Sequence, residues 1–146
     1  MSVTIAKAYV ILASLCIIVL MNGCRKRLDS LDSLNLQAKP LDLIVYDCTK
    51  PGVPRHKLLI QPGTEMFSLI KRTLMSNLDD WKTSYQTYAP RHEVRSWDFT
   101  LNVTHDLLVL NYRTKKGCWR QVIRSHPKGF RDTFVALVEK ETHVKE

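Results

Sequence analysis

The chain of 146 residues is long enough for one folded domain with a hydrophobic core and too short for two ordinary domains. Hydrophobic residues make up 45% of it and charged residues 25%, which excludes a wholly disordered protein. A formal net charge of +8 favours anionic partners, such as phosphate, a lipid surface or an acidic protein, without choosing among them.

The N-terminus carries an apolar segment typical of a secretory signal. Residues 8–21, AYVILASLCIIVLM, contain no charged side chain and follow a short start with one Lys. As a helix this run would extend about 21 Å, less than the roughly 30 Å hydrocarbon core of a bilayer. A short apolar run that ends at small residues is the pattern of a cleaved signal, so we expect residues 1–23 to be a signal peptide.

The sequence LMNGC at residues 20–24 resembles the lipobox of bacterial lipoproteins. Gly23 and Cys24 match that pattern, whereas Met21 and Asn22 stand where Leu and a small residue such as Ala, Ser or Thr are commonest. The resemblance covers residues 1–24 only. It implies that Cys24 becomes the first mature residue, a diacylglyceryl cysteine with an N-linked acyl chain such as palmitate. Several acyl chains make a stable membrane anchor, since each buried methylene contributes about 0.8 kcal/mol.

The residues after Cys24 leave the location open. Arg25, not Asp, follows the cysteine, so the resemblance implies an outer-membrane lipoprotein that faces the periplasm, with the inner membrane as the alternative. Positive charge beside a membrane segment tends to stay on the cytoplasmic side. Arg25–Arg27 therefore also fit an uncleaved anchor with a cytoplasmic domain, and a helix of a soluble protein is the third interpretation.

Residues 24–40 are expected to be a polar tether, because Leu28, Leu31 and Leu34 alone bury too little apolar surface to hold a short helix. One α+β domain is expected over residues 41–140, followed by a charged tail over residues 141–146.

Two strands and a helix are predicted at the start of this domain. Segments 41–47 and 56–60 are β-branched and apolar and are separated by a turn rich in Pro and Gly. Helical spacing then predicts a helix that is capped by Thr64 or Gly63 and ends near Ser76–Asn77. The positions with this spacing are Met66, Phe67, Ile70 and Leu74.

Segment 78–93 has no regular period, and its aromatic residues, Trp81, Tyr85 and Tyr88, are expected to pack the loop onto the core. After it, residues 97–104 alternate strictly, with Trp97, Phe99, Leu101 and Val103 predicted on the buried face.

Turns at residues 105–106 and 114–117 lead into strands 107–113 and 118–124, and a second helix follows from Phe130. The predicted fold is α+β: a small antiparallel sheet, made of two N-terminal strands plus a three-strand meander, with two helices covering one face.

The cysteine count fits an exported domain. Once Cys16 has left with the signal and Cys24 carries lipid, Cys48 and Cys118 remain, which predicts one disulfide. Two unrelated buried thiols are the alternative. A metal site is not expected, because the cysteines and histidines lack the spacing of metal ligands.

A stretch from Arg113 to Arg131 holds seven Lys or Arg residues and no Asp or Glu. Basic residues interleaved with aromatic ones can bind a polyanion; solvated surface charges are the alternative. The candidate anion- or partner-binding residues are Arg113, Lys115, Lys116, Trp119, Arg120, Arg124, Lys128 and Arg131.

No catalytic motif is found, so neither catalytic residues nor a cofactor is expected. Two classes of function remain. The first is a lipid-anchored envelope protein that binds a protein partner without chemistry of its own, for example an immunity-type lipoprotein that caps a toxin. The second is an uncleaved, membrane-anchored protein whose basic face binds nucleic acid or anionic lipid in the cytoplasm. In the first class nucleic acid is not an expected partner.

Overall fold

The computed structural model describes residues 34, 39–47, 49–50 and 52–143. In these residues seven strands form one antiparallel sheet and two helices pack on it, which confirms the predicted α+β class. The strands are β1 (Leu41–Tyr46), β2 (Pro54–Ile60), β3 (Lys82–Thr83), β4 (His92–Arg95), β5 (Phe99–Val103), β6 (Leu107–Arg113) and β7 (Trp119–Ser125). The helices are α1 (Glu65–Met75) and α2 (Phe130–His143).

Helix α1 forms where the apolar spacing predicts it. Its N-cap is Thr64, whose Oγ1 accepts a hydrogen bond from the Phe67 N–H at 3.2 Å, and Glu65 adds a favourable charge in the first turn. The helix ends at Met75, and Asn77 follows in a left-handed conformation with φ 47°. The predicted helix boundaries are therefore confirmed within two residues.

The strand order is β2-β1-β4-β5-β6-β7-β3. Strand β4 pairs with both β1 and β5 and so joins the two predicted strands to the predicted meander. Strand β3 adds a short edge beside β7. Neither strand is predicted from the sequence, because β4 has four residues and β3 has two, too few to show a periodic pattern.

The core lies on one face of the sheet, beneath both helices. One row of this face runs across five paired strands, and each of its side chains is at most 2% exposed. The row consists of Leu43, Val94, Leu101, Leu110 and Val122. Each such side chain contributes about 1.5–3 kcal/mol by leaving water. Phe134 of α2 is fully buried and stacks on Phe130 at 5.4 Å.

Three boundaries differ from the expectations. Leu34 belongs to the predicted tether but is only 6% exposed and lies in the core cluster. Helix α2 continues to His143, beyond the predicted end of the domain at 140. Trp97 is 62% exposed, because the Ser96 N–H donates to the Phe99 carbonyl at 2.9 Å and closes a turn before β5 begins.

The aromatic residues of segment 78–93 differ in how exposed they are. Trp81 is 4% exposed and packs into the core, as expected, whereas Tyr85 is 96% exposed. Tyr85 lies in the connection from β3, at one edge of the sheet, to β4 in its interior. We call this connection, residues 84–90, the strap.

The strap runs over the sheet face opposite the helices. Gln121 points to that face, since its neighbour Val122 points into the core and side chains alternate along a strand. The Gln121 side-chain amide donates to the Gln86 carbonyl at 2.7 Å and holds the strap there. We call this surface the strap face.

No helix in the described part of the chain is long and apolar enough to cross a membrane. The apolar run at residues 8–21 and the predicted lipidation site, Cys24, lie outside the described residues.

Candidate functional site

A groove of about 880 Å³ lies on the strap face, between the strap and the end of β1. Its floor consists of neighbouring polar side chains from three paired strands, because this face carries the polar half of the β5 alternation. The floor residues are Glu93, Thr100, Asn102 and Asn111, and the walls include Tyr46, Ala89 and Pro90.

Glu93, on β4, is a buried carboxylate at one side of the floor, only 6% exposed. The Tyr46 hydroxyl donates to its Oε2 at 2.7 Å, and Arg95 forms an ion pair with its Oε1 through Nε. Burial and, second, the hydrogen bond to Glu93 raise the pKa of Tyr46, so the phenol stays protonated and remains a donor. The ion pair with Arg95 balances the carboxylate charge, which leaves hydroxyl and amide groups to face a ligand.

Asn102 places a buried polar atom beside Glu93, Tyr46 and Arg95. It lies directly opposite Glu93 across the β4–β5 pair. Its Oδ1 is buried and has no hydrogen-bond partner among the described residues. A buried acceptor without a partner costs about 1–3 kcal/mol, and such groups in folded proteins call for a functional or solvent explanation. The Asn102 carboxamide thus marks the groove as a polar site that the fold alone does not satisfy.

The groove opens at the end of the sheet where β5 turns into β6. Asp47, Thr104 and His105 line this end. The opposite end of β5 carries the turn with Trp97. The groove mouth and the Trp97 turn therefore lie at opposite ends of the same strands.

A second cavity of about 530 Å³ lies at the mouth end, beneath α2. His92 lines it at 8% exposure, with its ring edge-on to Phe134 at 5.5 Å. Burial and, second, the charge of Arg91 lower the pKa of His92 to about 4, so this imidazole is neutral at neutral pH. Arg131, a candidate binding residue from the sequence, also lines this cavity.

The predicted basic stretch does not form one surface. Arg113, Lys115, Lys116, Trp119 and Arg120 gather at the β6–β7 turn and are exposed. Lys128 and Arg131 follow the far end of β7, which is seven residues or roughly 20 Å away. An extended strand thus carries the two ends of the stretch apart, and binding by either group of residues stays a prediction.

Arg124, one of the candidate binding residues, points into the fold. It is 5% exposed, since it alternates with the outward-facing Ile123 and points toward the helices. Its Nη1 donates to the Ser76 carbonyl at 2.7 Å, and its guanidinium lies 4.9 Å from the Trp81 ring centroid. These contacts tie β7 to the C-terminal end of α1.

The predicted disulfide finds no support in the described geometry. Cys48 lies outside the described residues, and Cys118 is exposed with a free thiol. Asp47 follows the end of β1, and three strands separate β1 from β7, which begins after Cys118. That separation is about 19 Å, against roughly 4.4–6.8 Å between the Cα atoms of a disulfide. The position of Asp47 therefore disfavours the Cys48–Cys118 bridge, which stays a prediction.

The groove residues are not among the binding residues predicted from the sequence. Thr100 and Asn102 could have been found, since they form the polar half of the β5 alternation. Glu93 gave no signal, because it lies in a segment without a period. In the described residues no three His, Cys, Asp or Glu side chains come together to hold a metal ion.

Comparison of the chain with protein-family models, curated proteins and solved structures finds no match.

Proposed function

We propose that this protein is a lipid-anchored protein of the bacterial cell envelope that binds a polar segment of a partner protein in the strap-face groove, without chemistry of its own. The anchor rests on the LMNGC sequence and on Cys24 as its lipidated residue. The groove supplies the binding site, and the outer membrane is the proposed location.

The side chains of the groove floor support the proposal that the groove binds a partner protein. Thr100 and Asn102 point to the same face two residues apart, so their side chains repeat at about 6.8 Å along the strand. An extended peptide repeats its same-side groups at the same spacing. Hydroxyl and carboxamide groups can donate and accept hydrogen bonds, as the backbone and polar side chains of such a peptide require.

Site-specific photo-crosslinking in the native membrane tests this groove. A benzophenone amino acid replaces Ala89 in the groove wall, and the matched control carries it at the exposed Ala136 on α2. We expect a discrete crosslinked protein from position 89 and none from position 136.

A second variant, Asn111→Trp, fills the groove floor and is expected to lower the crosslinked yield from position 89 about tenfold, equivalent to about 1.4 kcal/mol of binding energy. Its folding is checked by thermal unfolding. Equal crosslinking from positions 89 and 136, or a yield that Asn111→Trp leaves unchanged in a folded protein, would contradict the groove as the binding site.

A further inference from the structure

Two tryptophan side chains are exposed at one end of the sheet. Of the three tryptophans, Trp81 is buried at 4% exposure, whereas Trp97 and Trp119 are 62% and 59% exposed. The Arg113 N–H donates to the Asp98 carbonyl at 2.9 Å, which joins the Trp97 turn to β6. Across the β6–β7 pair Arg113 lies directly opposite Trp119. The backbone segments that carry the two exposed indoles therefore lie close together at this end of the sheet.

Positive charge is concentrated in the hairpin that carries Trp119. Lys115 and Lys116 occupy the turn between Arg113 and Trp119 and are exposed. Neither lysine takes part in the salt bridges found in the described part of the chain, Arg95 with Glu93 and His105 with Asp106. We call this surface, formed by Trp97, Arg113, Lys115, Lys116 and Trp119, the tryptophan tip.

Local hydrogen bonds fix the shape of the tip. The Thr114 N–H donates to the Cys118 carbonyl at 2.8 Å, and the Gly117 N–H donates to the Thr114 carbonyl at 2.8 Å. Gly117 has φ +81°, a conformation that a side chain at this position would strain. The lysines and Trp119 are therefore presented by a defined hairpin turn.

We propose that the tryptophan tip docks the domain onto the anionic phospholipid headgroups of the membrane that carries the anchor. Indole rings favour the boundary between headgroups and acyl chains, because one edge is polar and the rest apolar. Lysine and arginine side chains near an anionic surface add electrostatic attraction.

The position of the tip in the chain favours a membrane as its partner. The inference rests on the proposed function in one respect, the anchor at Cys24. Leu34 lies in the core only ten residues after Cys24, which keeps the domain within about 35 Å of the anchor and raises the local concentration of lipid. β1 also begins at the tip end of the sheet, since Asp42 pairs with Arg95 next to the Trp97 turn.

The shape of the tip favours a membrane over a nucleic acid as its partner. Trp97 lies in a turn and Trp119 at the start of a strand, and both are exposed at the same end of the sheet. Single strands of nucleic acid bind along a groove that aligns successive stacking rings. Docking through the tip would also turn the groove mouth, with Thr104 and His105, away from the bilayer and toward a partner.

Tryptophan quenching by brominated acyl chains tests the proposal on the full chain. The protein is reconstituted in brominated phosphatidylcholine vesicles with and without phosphatidylglycerol. We expect quenching that requires phosphatidylglycerol and falls with added salt. Trp97→Phe combined with Trp119→Phe should leave only the emission of the buried Trp81, with little quenching.

Charge variants complete the test. Lys115→Gln combined with Lys116→Gln should lower the docking constant about thirtyfold. Lys71→Gln combined with Arg72→Gln removes the same charge from exposed positions on α1 and should leave docking unchanged.

Several results would overturn the proposal. One is quenching of the same extent with and without phosphatidylglycerol. Another is a loss of docking in the α1 variant equal to that in the variant of Lys115 and Lys116. The third is quenching of Trp97 and Trp119 by a single-stranded oligonucleotide but not by anionic vesicles. Crosslinking from position 89 is a separate readout, so loss of docking with intact crosslinking would reject the tip and retain the groove.

Discussion

Replacing Arg124 by Ala is expected to lower the free energy of unfolding by about 3 kcal/mol, whereas Lys115→Ala should change it by less than about 0.5 kcal/mol. Arg124 loses a charged hydrogen bond to the Ser76 carbonyl and a buried contact with the Trp81 ring. Such interactions contribute about 1.5–3 and roughly 2 kcal/mol respectively when they are shielded from water. Lys115 is exposed in a turn and has no comparable contact to lose.

Urea denaturation of Arg124→Ala and Lys115→Ala measures the difference between their free energies of unfolding. Arg124→Lys serves as the control for charge, since it keeps the cation but loses the planar fork that reaches Ser76 and covers Trp81. We expect it to fall between the wild type and Arg124→Ala. If Arg124→Ala proved as mild as Lys115→Ala, Arg124 would not be the structural link between β7 and α1.

Acidification is expected to destabilise the domain by about 3 kcal/mol through His92 alone. Its pKa of about 4 in the folded protein lies below the value of 6.5 expected when the chain is unfolded. Below about pH 6.5 the unfolded chain binds a proton that the folded protein does not accept until about pH 4. The contribution of His92 is thus fully present above pH 6.5 and is lost as the pH falls to about 4.

The free energy of unfolding, measured in urea at several pH values, tests this linkage. His92→Phe retains an aromatic ring against Phe134 but cannot be protonated, so its stability should fall less steeply over this window. Thr87→Ala, at an exposed position without a titratable side chain, is the control and should keep the wild-type slope. His126 adds a smaller effect of the same sign, because burial also lowers its pKa. Equal slopes for the wild type and His92→Phe would contradict the assignment.

The elements that the sequence predicted well are those with a long local period. α1 shows its apolar stripe over eleven residues and β5 alternates over five, so local spacing is enough to place their faces. β4 is different, because its four residues become a strand only by pairing with β1 and β5. Pairing between segments far apart in the sequence cannot be predicted from the residue pattern of one short stretch.

The candidate sites also depend on contacts between residues far apart in the sequence, which a local pattern does not reveal. Glu93 reaches Tyr46 across 47 positions of sequence, and the strap crosses the sheet only because β3 and β4 lie far apart in it. The basic stretch shows the complementary limit of a local pattern. Its residues are close in sequence, but β7 carries its ends apart and turns Arg124 inward.

The intact mass of the membrane-extracted protein, alkylated without reduction, tests the central proposal of a lipid-anchored envelope protein most directly. We predict the mass of residues 24–146 plus a diacylglyceryl group and an N-linked acyl chain, and loss of that species in Cys24→Ser. Alkylation of Cys48 and Cys118 in the same spectrum decides between free thiols and the predicted bridge. A chain that begins at Met1 and carries no lipid would contradict the lipid anchor.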